Sequence, residues 1–292
     1  MSEIYDSKFY EDQFAGSARS AAAVVPLILG LFPSTRSVID IGCGTGVWLH
    51  QYQLLGVPRI LGLDSGNPPP NLLKIDEAEF LHVNLSGPFG VQERFDLAMS
   101  LEVAEHLDEA FAKSFVSNLT GLSDIIVFGA AIPGQGGTNH VNERWPSYWN
   151  ALFEERGFRC FDVLRGQFWH NDLVEWWYAQ NILVFVKKSR LDLVADLEKK
   201  IISNKVPIDL VHPRCFEVYK RWLDDMLGNV DAGLADSTGQ VSLERNLLKS
   251  LQERLNAIEL STSWRVMRVL QRAVARLPII RGFLRFSAKW IK

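Results

Sequence analysis

Ser37-Val-Ile-Asp-Ile-Gly-Cys-Gly-Thr-Gly46 runs directly into Val47-Trp-Leu-His-Gln-Tyr-Gln-Leu-Leu55. The first five residues form a short β-branched run, three glycines at alternate positions end it, and residues 47–55 read as a helix. Glycine lets a chain turn tightly and approach a ligand with no β-carbon in the way. A second strand, Arg59-Ile-Leu-Gly-Leu63, ends at Asp64. Further strand candidates lie at Phe80 to Asn84, Phe95 to Ser100 and Asp124 to Ala130, with a helix from Leu107 to Leu119 between the last two. This alternation predicts an α/β fold, a Rossmann-like doubly wound and mostly parallel sheet.

After Ala131 the pattern changes. Pro133-Gly-Gln-Gly-Gly137 reads as a loop, and Pro146 to Arg156 as a helix that Gly157 would cap. Arg159 to Leu164 and Asn181 to Val186 would close the sheet as a hairpin, making the final strand antiparallel. The expected organisation is an N-terminal helical lid over 1–35, a core domain over 36–188, a helical extension and linker over 189–240, and a heptad-like helix with a basic tail over 241–292.

Of 292 residues, 47% are hydrophobic and 22% charged, which excludes a disordered chain. The apolar stretch Val24 to Phe32 is nine residues and contains Pro26, too short to span a bilayer. The acidic, aromatic start is unlike a signal peptide. Cys43, Cys160 and Cys215 form no paired motif, as expected of a reducing cytoplasm.

Charge is unevenly spread. Residues 262–292 carry +8 with no acid, and the remaining 261 residues carry −11. On a helical wheel Arg265, Arg268, Arg272 and Arg276 cluster on one side, with Phe283, Phe286 and Trp290 following. Such a segment suits the headgroup region of an anionic membrane, which would place the protein at the membrane's inner face. The rivals are docking on the chain's own acidic surface and nucleic-acid binding, the latter disfavoured by the acidic remainder. Val241, Leu248, Leu251, Leu255 and Ile258 have heptad-like spacing broken at Glu244. They suit a homo-oligomer or a glycan-assembly partner, or equally a helix packed on its own domain.

The glycine spacing is GxGxG, preceded by Asp40. An acid there would repel the pyrophosphate of a dinucleotide but suits a ligand bearing an ammonium and a sulfonium, which points to S-adenosylmethionine rather than NAD. Asp64, eighteen residues past Gly46, can accept both hydroxyls of a ribose. Asp40-Ile-Gly-Cys-Gly-Thr-Gly46, Asp64 and Phe95-Asp-Leu-Ala-Met-Ser-Leu-Glu-Val-Ala-Glu-His-Leu107 together resemble the class I S-adenosylmethionine-dependent methyltransferases over roughly residues 35–187. The resemblance implies that Gly42, Gly44 and Gly46 line the methionine moiety, that Asp64 holds the ribose, and that Asn84 stands where the family usually has an acid facing the adenine. Asp40, Cys43 (a small residue within the loop) and Leu101 complete the expected cofactor set. Asp96, at a strand start, is expected to be structural.

If Glu102-Val-Ala-Glu-His106 opens a helix, Glu102, Glu105 and His106 share one face. His140 follows the fifth strand at the same edge of the sheet. Two carboxylates and two histidines suit a divalent cation such as Mg²⁺ or Mn²⁺. The arrangement resembles metal-dependent O-methyltransferases acting on vicinal hydroxyls, among them small-RNA 2′-O and ubiquinone-pathway enzymes. In that reading Glu105, His106 and His140 are catalytic, because a cation would activate and aim a hydroxyl. Alternatively Glu102 contacts the cofactor or caps a helix, and His106 is a base without a metal. His50, His82 and His212 read as ordinary surface or core histidines.

Residues 139–149, 166–171 and 174–181 are rich in Trp, Asn, Gln and His. Aromatic faces rimmed by amides suit a carbohydrate, with Trp145, Tyr148, Trp169 and His170 as candidate contacts, although such aromatics can also simply pack a hairpin. Of Trp176 and Trp177, at least one should be core. The 137–149 and 177–181 segments, with Ser261-Thr-Ser-Trp-Arg265, resemble methyltransferases associated with bacterial cell-surface polysaccharide synthesis of the O-antigen type. That resemblance implies a carbohydrate or lipid-linked glycan acceptor. The alternatives are a metal-free small-molecule or quinone-type O-methyltransferase, an RNA 2′-O-methyltransferase, and a non-catalytic glycan-assembly scaffold.

Overall fold

The structure is a computed structural model and describes residues 7–194 and 208–221. The heptad-like segment and the basic tail lie outside the described residues. The chain divides into two units, residues 1–208 with 212–220 and residues 209–211 with 221–292. The elements below belong to the first.

Seven strands form one sheet: β1 (Ser37–Ile41), β2 (Arg59–Asp64), β3 (Phe80–His82), β4 (Leu97–Leu101), β5 (Ile125–Gly129), β6 (Phe158–Phe161) and β7 (Leu183–Lys187). Their order is β3-β2-β1-β4-β5-β7-β6. The first five are parallel, and β7 runs antiparallel to both β5 and β6. The expected mixed Rossmann-like sheet is therefore present. The reversal of order at β1 and β4 puts a crevice at the carboxyl ends of these strands, where open α/β sheets bind ligands.

Strand alternation explains why β1, β4 and β5 are buried throughout. Val38, Leu97, Met99 and Val127 face one layer, with α1 (Ser7–Leu31) and α2 (Val47–Leu54). Ile39, Ile41, Ala98 and Phe128 face the other, with α3 (Ala112–Leu122) and α4 (Pro146–Glu155). In α1 the buried Ala21, Val24, Val25 and Ile28 form one helical stripe, and Pro26 lies on the exposed face. There the helix loses one N–H bond on its solvent side, where a bend is tolerated. On the second face Phe153 stacks on Phe185 at 4.0 Å between ring centroids. Truncating such a buried ring costs ~3–5 kcal/mol.

Two sequence expectations are corrected. The helix expected from Leu107 starts later: Asp108 caps a short 3-10 turn (Glu109–Phe111) by accepting from the Ala110 amide, and α3 follows. Glu102 does not open a helix. Its φ is +57°, its amide donates to the Gly129 carbonyl at 2.9 Å, and only Ala104–His106 form a 3-10 turn. Asp96 is structural as expected, with Oδ2 accepting from the Arg36 and Ser37 amides and the Ser37 hydroxyl. Among the described residues no helix is long and apolar enough to cross a membrane.

Candidate functional site

The glycine loop hangs from β2, because the Gly42 and Cys43 amides both donate to the Leu63 carbonyl, at 2.6 and 3.1 Å. Each glycine has its own steric reason. A β-carbon on Gly42 would meet Val103, one on Gly46 would meet Ile75, and one on Gly44 would meet nothing within 4 Å. Gly44 is therefore the point where the loop turns bare backbone to open space. Asp64, at the end of β2, accepts from the Gly44 amide through Oδ2 at 2.7 Å and from the Gly66 amide through Oδ1 at 2.6 Å.

Asp40 is buried in β1. Burial, and then the charge of Asp64, push its carboxyl well above the usual carboxylate range. Burial also raises Asp64 against the amides of Gly66 and Gly44, which pull it down. Two crowded, poorly solvated acids thus lie beside the glycine turn. Cys43 is buried, its thiol held high by burial first and then by the charges of Asp64 and Asp40, so it packs the loop rather than reacting. Leu101 is buried at the end of β4. Asn84 is exposed, and its Oδ1 accepts from the Ser86 amide in a turn of its own chain.

The turn after β4 meets the loop after β5 nearby. The Val141 and Asn142 amides both donate to the Glu105 carbonyl, at 2.9 and 3.0 Å, which clamps His140 against the 104–106 turn. Ligand atoms of Glu105, His106 and His140 consequently lie within 4.8 Å of one another. The His106 and His140 rings meet edge to face at 4.9 Å.

Glu105 is fully buried. The amides of Glu105 and Ala131 are near enough to favour its charged form, but neither carboxylate oxygen makes a full hydrogen bond. Burial first, and then the charge of Glu102, push its carboxyl well up. A buried carboxylate beside two histidines is a donor set that could hold a divalent cation. Burial and the neighbouring His140 lower the His106 imidazole to about 4, so it is neutral with a lone pair to give.

The fourth expected ligand, Glu102, stands outside this group. Its Oε2 accepts from Gln135 Nε2 at 2.7 Å and its Oε1 from Asn181 Nδ2 at 2.8 Å. Burial lifts its carboxyl to about 7 against those two donors. The amides continue as a network. Gln180 Nε2 donates to Gln135 Oε1 and Asn181 Oδ1, and Gln180 Oε1 accepts from the His212 amide at 2.8 Å.

His212 is a buried core histidine, one of the two ordinary roles expected for it. Its Nε2 lies 2.7 Å from the Trp169 carbonyl, and its ring packs on the Trp169 indole at 4.7 Å. Trp145, partly buried, sits at the N-cap of α4. Tyr148 packs on Trp149 at 5.1 Å under the Arg144 guanidinium, which is 5.3 Å from its ring centre. His170 is exposed. Trp177 packs against the α1 and α2 layer, as expected for at least one of the tryptophan pair.

Sequence reasoning missed Glu143, Gln135, Gln180 and Asn181 as individual residues. Only the richness in amides around positions 166–181 hinted at a polar network.

Residues 13–117 match the model of a family described as a methyltransferase domain. No curated protein matches the chain. Among solved structures, an amino pentose methyltransferase from Micromonospora echinaspora, involved in calicheamicin biosynthesis, is 16% identical, with 64% of this chain and 99% of that one covered at a TM-score of 0.47. A sugar N-methyltransferase from a Streptoalloteichus species is 15% identical, covering 64% and 94% at 0.46. A magnesium protoporphyrin IX methyltransferase from Synechocystis with bound S-adenosylhomocysteine is 17% identical, covering 59% and 84% at 0.45.

Proposed function

We propose that this protein is an S-adenosylmethionine-dependent methyltransferase that O-methylates a hydroxyl of a sugar-like acceptor, using a divalent cation held by Glu105, His106 and His140. The observation that carries the reading is the convergence of those three side chains beside the glycine turn, which Val103 joins to them by packing against Gly42.

Gly44 leaves room for the donor, Asp64 offers the carboxylate for its ribose, and Asp40 favours its positive charge. When bound, S-adenosylmethionine supplies an electrophilic methyl group, and Mg²⁺ or Mn²⁺ would lower the pKa of a coordinated hydroxyl. Glu105 offers two oxygens without full hydrogen bonds, and His106 stays neutral at physiological pH. Trp145, Tyr148 and Trp169 offer aromatic faces on which the CH groups of a sugar can pack. The segment Ser261-Thr-Ser-Trp-Arg265 and the basic tail support an acceptor from surface-polysaccharide synthesis, on a lipid-linked or nucleotide-linked glycan.

The test uses methyl-labelled donor with free sugars, sugar nucleotides, lipid-linked glycans and RNA as acceptors. Label should appear on a sugar hydroxyl, vanish with EDTA and return with Mn²⁺. Transfer indifferent to chelation, or transfer to RNA alone, contradicts the proposal.

A further inference from the structure

We propose that Glu143 is a positioning residue: its carboxylate accepts a hydrogen bond from Nδ1–H of His140 and so presents Nε2 as the nitrogen that binds a cation. This rests on the cation reading above. Glu143 Oε1 lies 3.0 Å from His140 Nδ1, in a pair whose side chains are only 12% (His140) and 16% (Glu143) exposed. The same carboxylate closes the Pro133–Gly137 loop, with Oε2 accepting from the Gly134 amide at 2.7 Å and Oε1 from the Gly136 amide at 2.8 Å. Three N–H groups thus converge on one carboxylate, which can only accept.

In a neutral histidine the bond made by one nitrogen decides which nitrogen carries the proton, so a carboxylate on Nδ1 leaves the lone pair on Nε2. Gly137 completes the device. A β-carbon there would lie 2.3 Å from His140 Nε2, so only glycine leaves the ring in place. One turn thus fixes both the position of His140 and its tautomer.

The experiment uses the full chain. Long-range ¹⁵N NMR of histidine-labelled, metal-free protein should show His140 as the Nδ1–H tautomer. Glu143→Gln and, independently, Gly137→Ala should weaken Mn²⁺ binding by about 10–100-fold while leaving S-adenosylhomocysteine affinity within about twofold, because neither residue touches the glycine loop. That second affinity also reports folding; should Glu143→Gln fail it, the wild-type tautomer and Gly137→Ala decide. An Nε2–H tautomer in the wild type, or unchanged Mn²⁺ affinity in both variants, overturns the assignment to Glu143 and leaves the cation site standing. No Mn²⁺ binding by the wild type overturns the cation reading and this inference with it.

Discussion

Val103 fills the space in front of Gly42: a β-carbon added to Gly42 would stand 2.2 Å from Val103 Cγ2. Because Gly42 belongs to the loop after β1 and Val103 to the turn after β4, this single contact sets the glycine loop against the turn that carries Glu105 and His106.

Gly42 and Gly44 should therefore fail differently. Gly42 has φ +83° and Gly44 has φ +54°, and a side chain in that region costs ~1–2 kcal/mol by itself. Gly42→Ala adds a collision worth a further ~1–3 kcal/mol, so its melting temperature should fall by several degrees. Gly44→Ala faces open space and should stay folded with the smaller loss, yet lose S-adenosylhomocysteine affinity by tenfold or more. Calorimetry with thermal melts checks both; equal stability losses, or full ligand affinity in Gly44→Ala, would count against the loop assignment.

The amide network should be costly to interrupt. Gln180 is fully buried and serves Gln135, Asn181 and the His212 amide at once. Gln180→Leu leaves those partners short and should lose ~2–4 kcal/mol in urea unfolding. A loss under about 0.5 kcal/mol would mean the network carries little.

Glu102 predicts a pH dependence. Its folded carboxyl is raised from 4.5 to about 7, chiefly by burial. Between those values the folded chain holds a proton that the unfolded chain has released, so stability falls as pH rises through that window and levels off above it. In metal-free protein, the stability of Glu102→Gln relative to wild type should increase from pH 4.5 to 7 and then stay constant. A difference independent of pH would refute the shift.

Much of this was legible before any coordinates. The strand–glycine–helix passage at 37–55 and the acid at position 64 are local patterns, and the structure keeps them as β1, the loop and α2. The spacing of Glu102, Glu105 and His106 misled, because a helical reading assumes local bonds. Here the tertiary bond from the Glu102 amide to Gly129 pulls the chain to φ +57°, so the three residues share no helical face, and the Glu102 carboxylate is engaged by Gln135 and Asn181. His140 could be placed at the right sheet edge, but the clamp of Val141 and Asn142 on the Glu105 carbonyl has no sequence signature. Glu143 was invisible for the same reason: its role exists only once the Pro133–Gly137 loop folds back over it.

The basic tail, outside the described residues, makes a separate prediction. Full-length protein should sediment with vesicles containing anionic phosphatidylglycerol and not with neutral phosphatidylcholine. Replacing Arg265, Arg268, Arg272 and Arg276 together by Gln should abolish most of that binding. Sedimentation insensitive to lipid charge or to the four substitutions would remove the membrane from consideration.

The decisive measurement is an anomalous difference map from crystals grown with Mn²⁺ and S-adenosylhomocysteine. It should show one peak at ~2.0–2.4 Å from a Glu105 oxygen and from ring nitrogens of His106 and His140, with the nucleoside lying over Gly44 and its ribose at Asp64. Manganese bound elsewhere, or the ligand seated away from the glycine turn, would contradict the shared site.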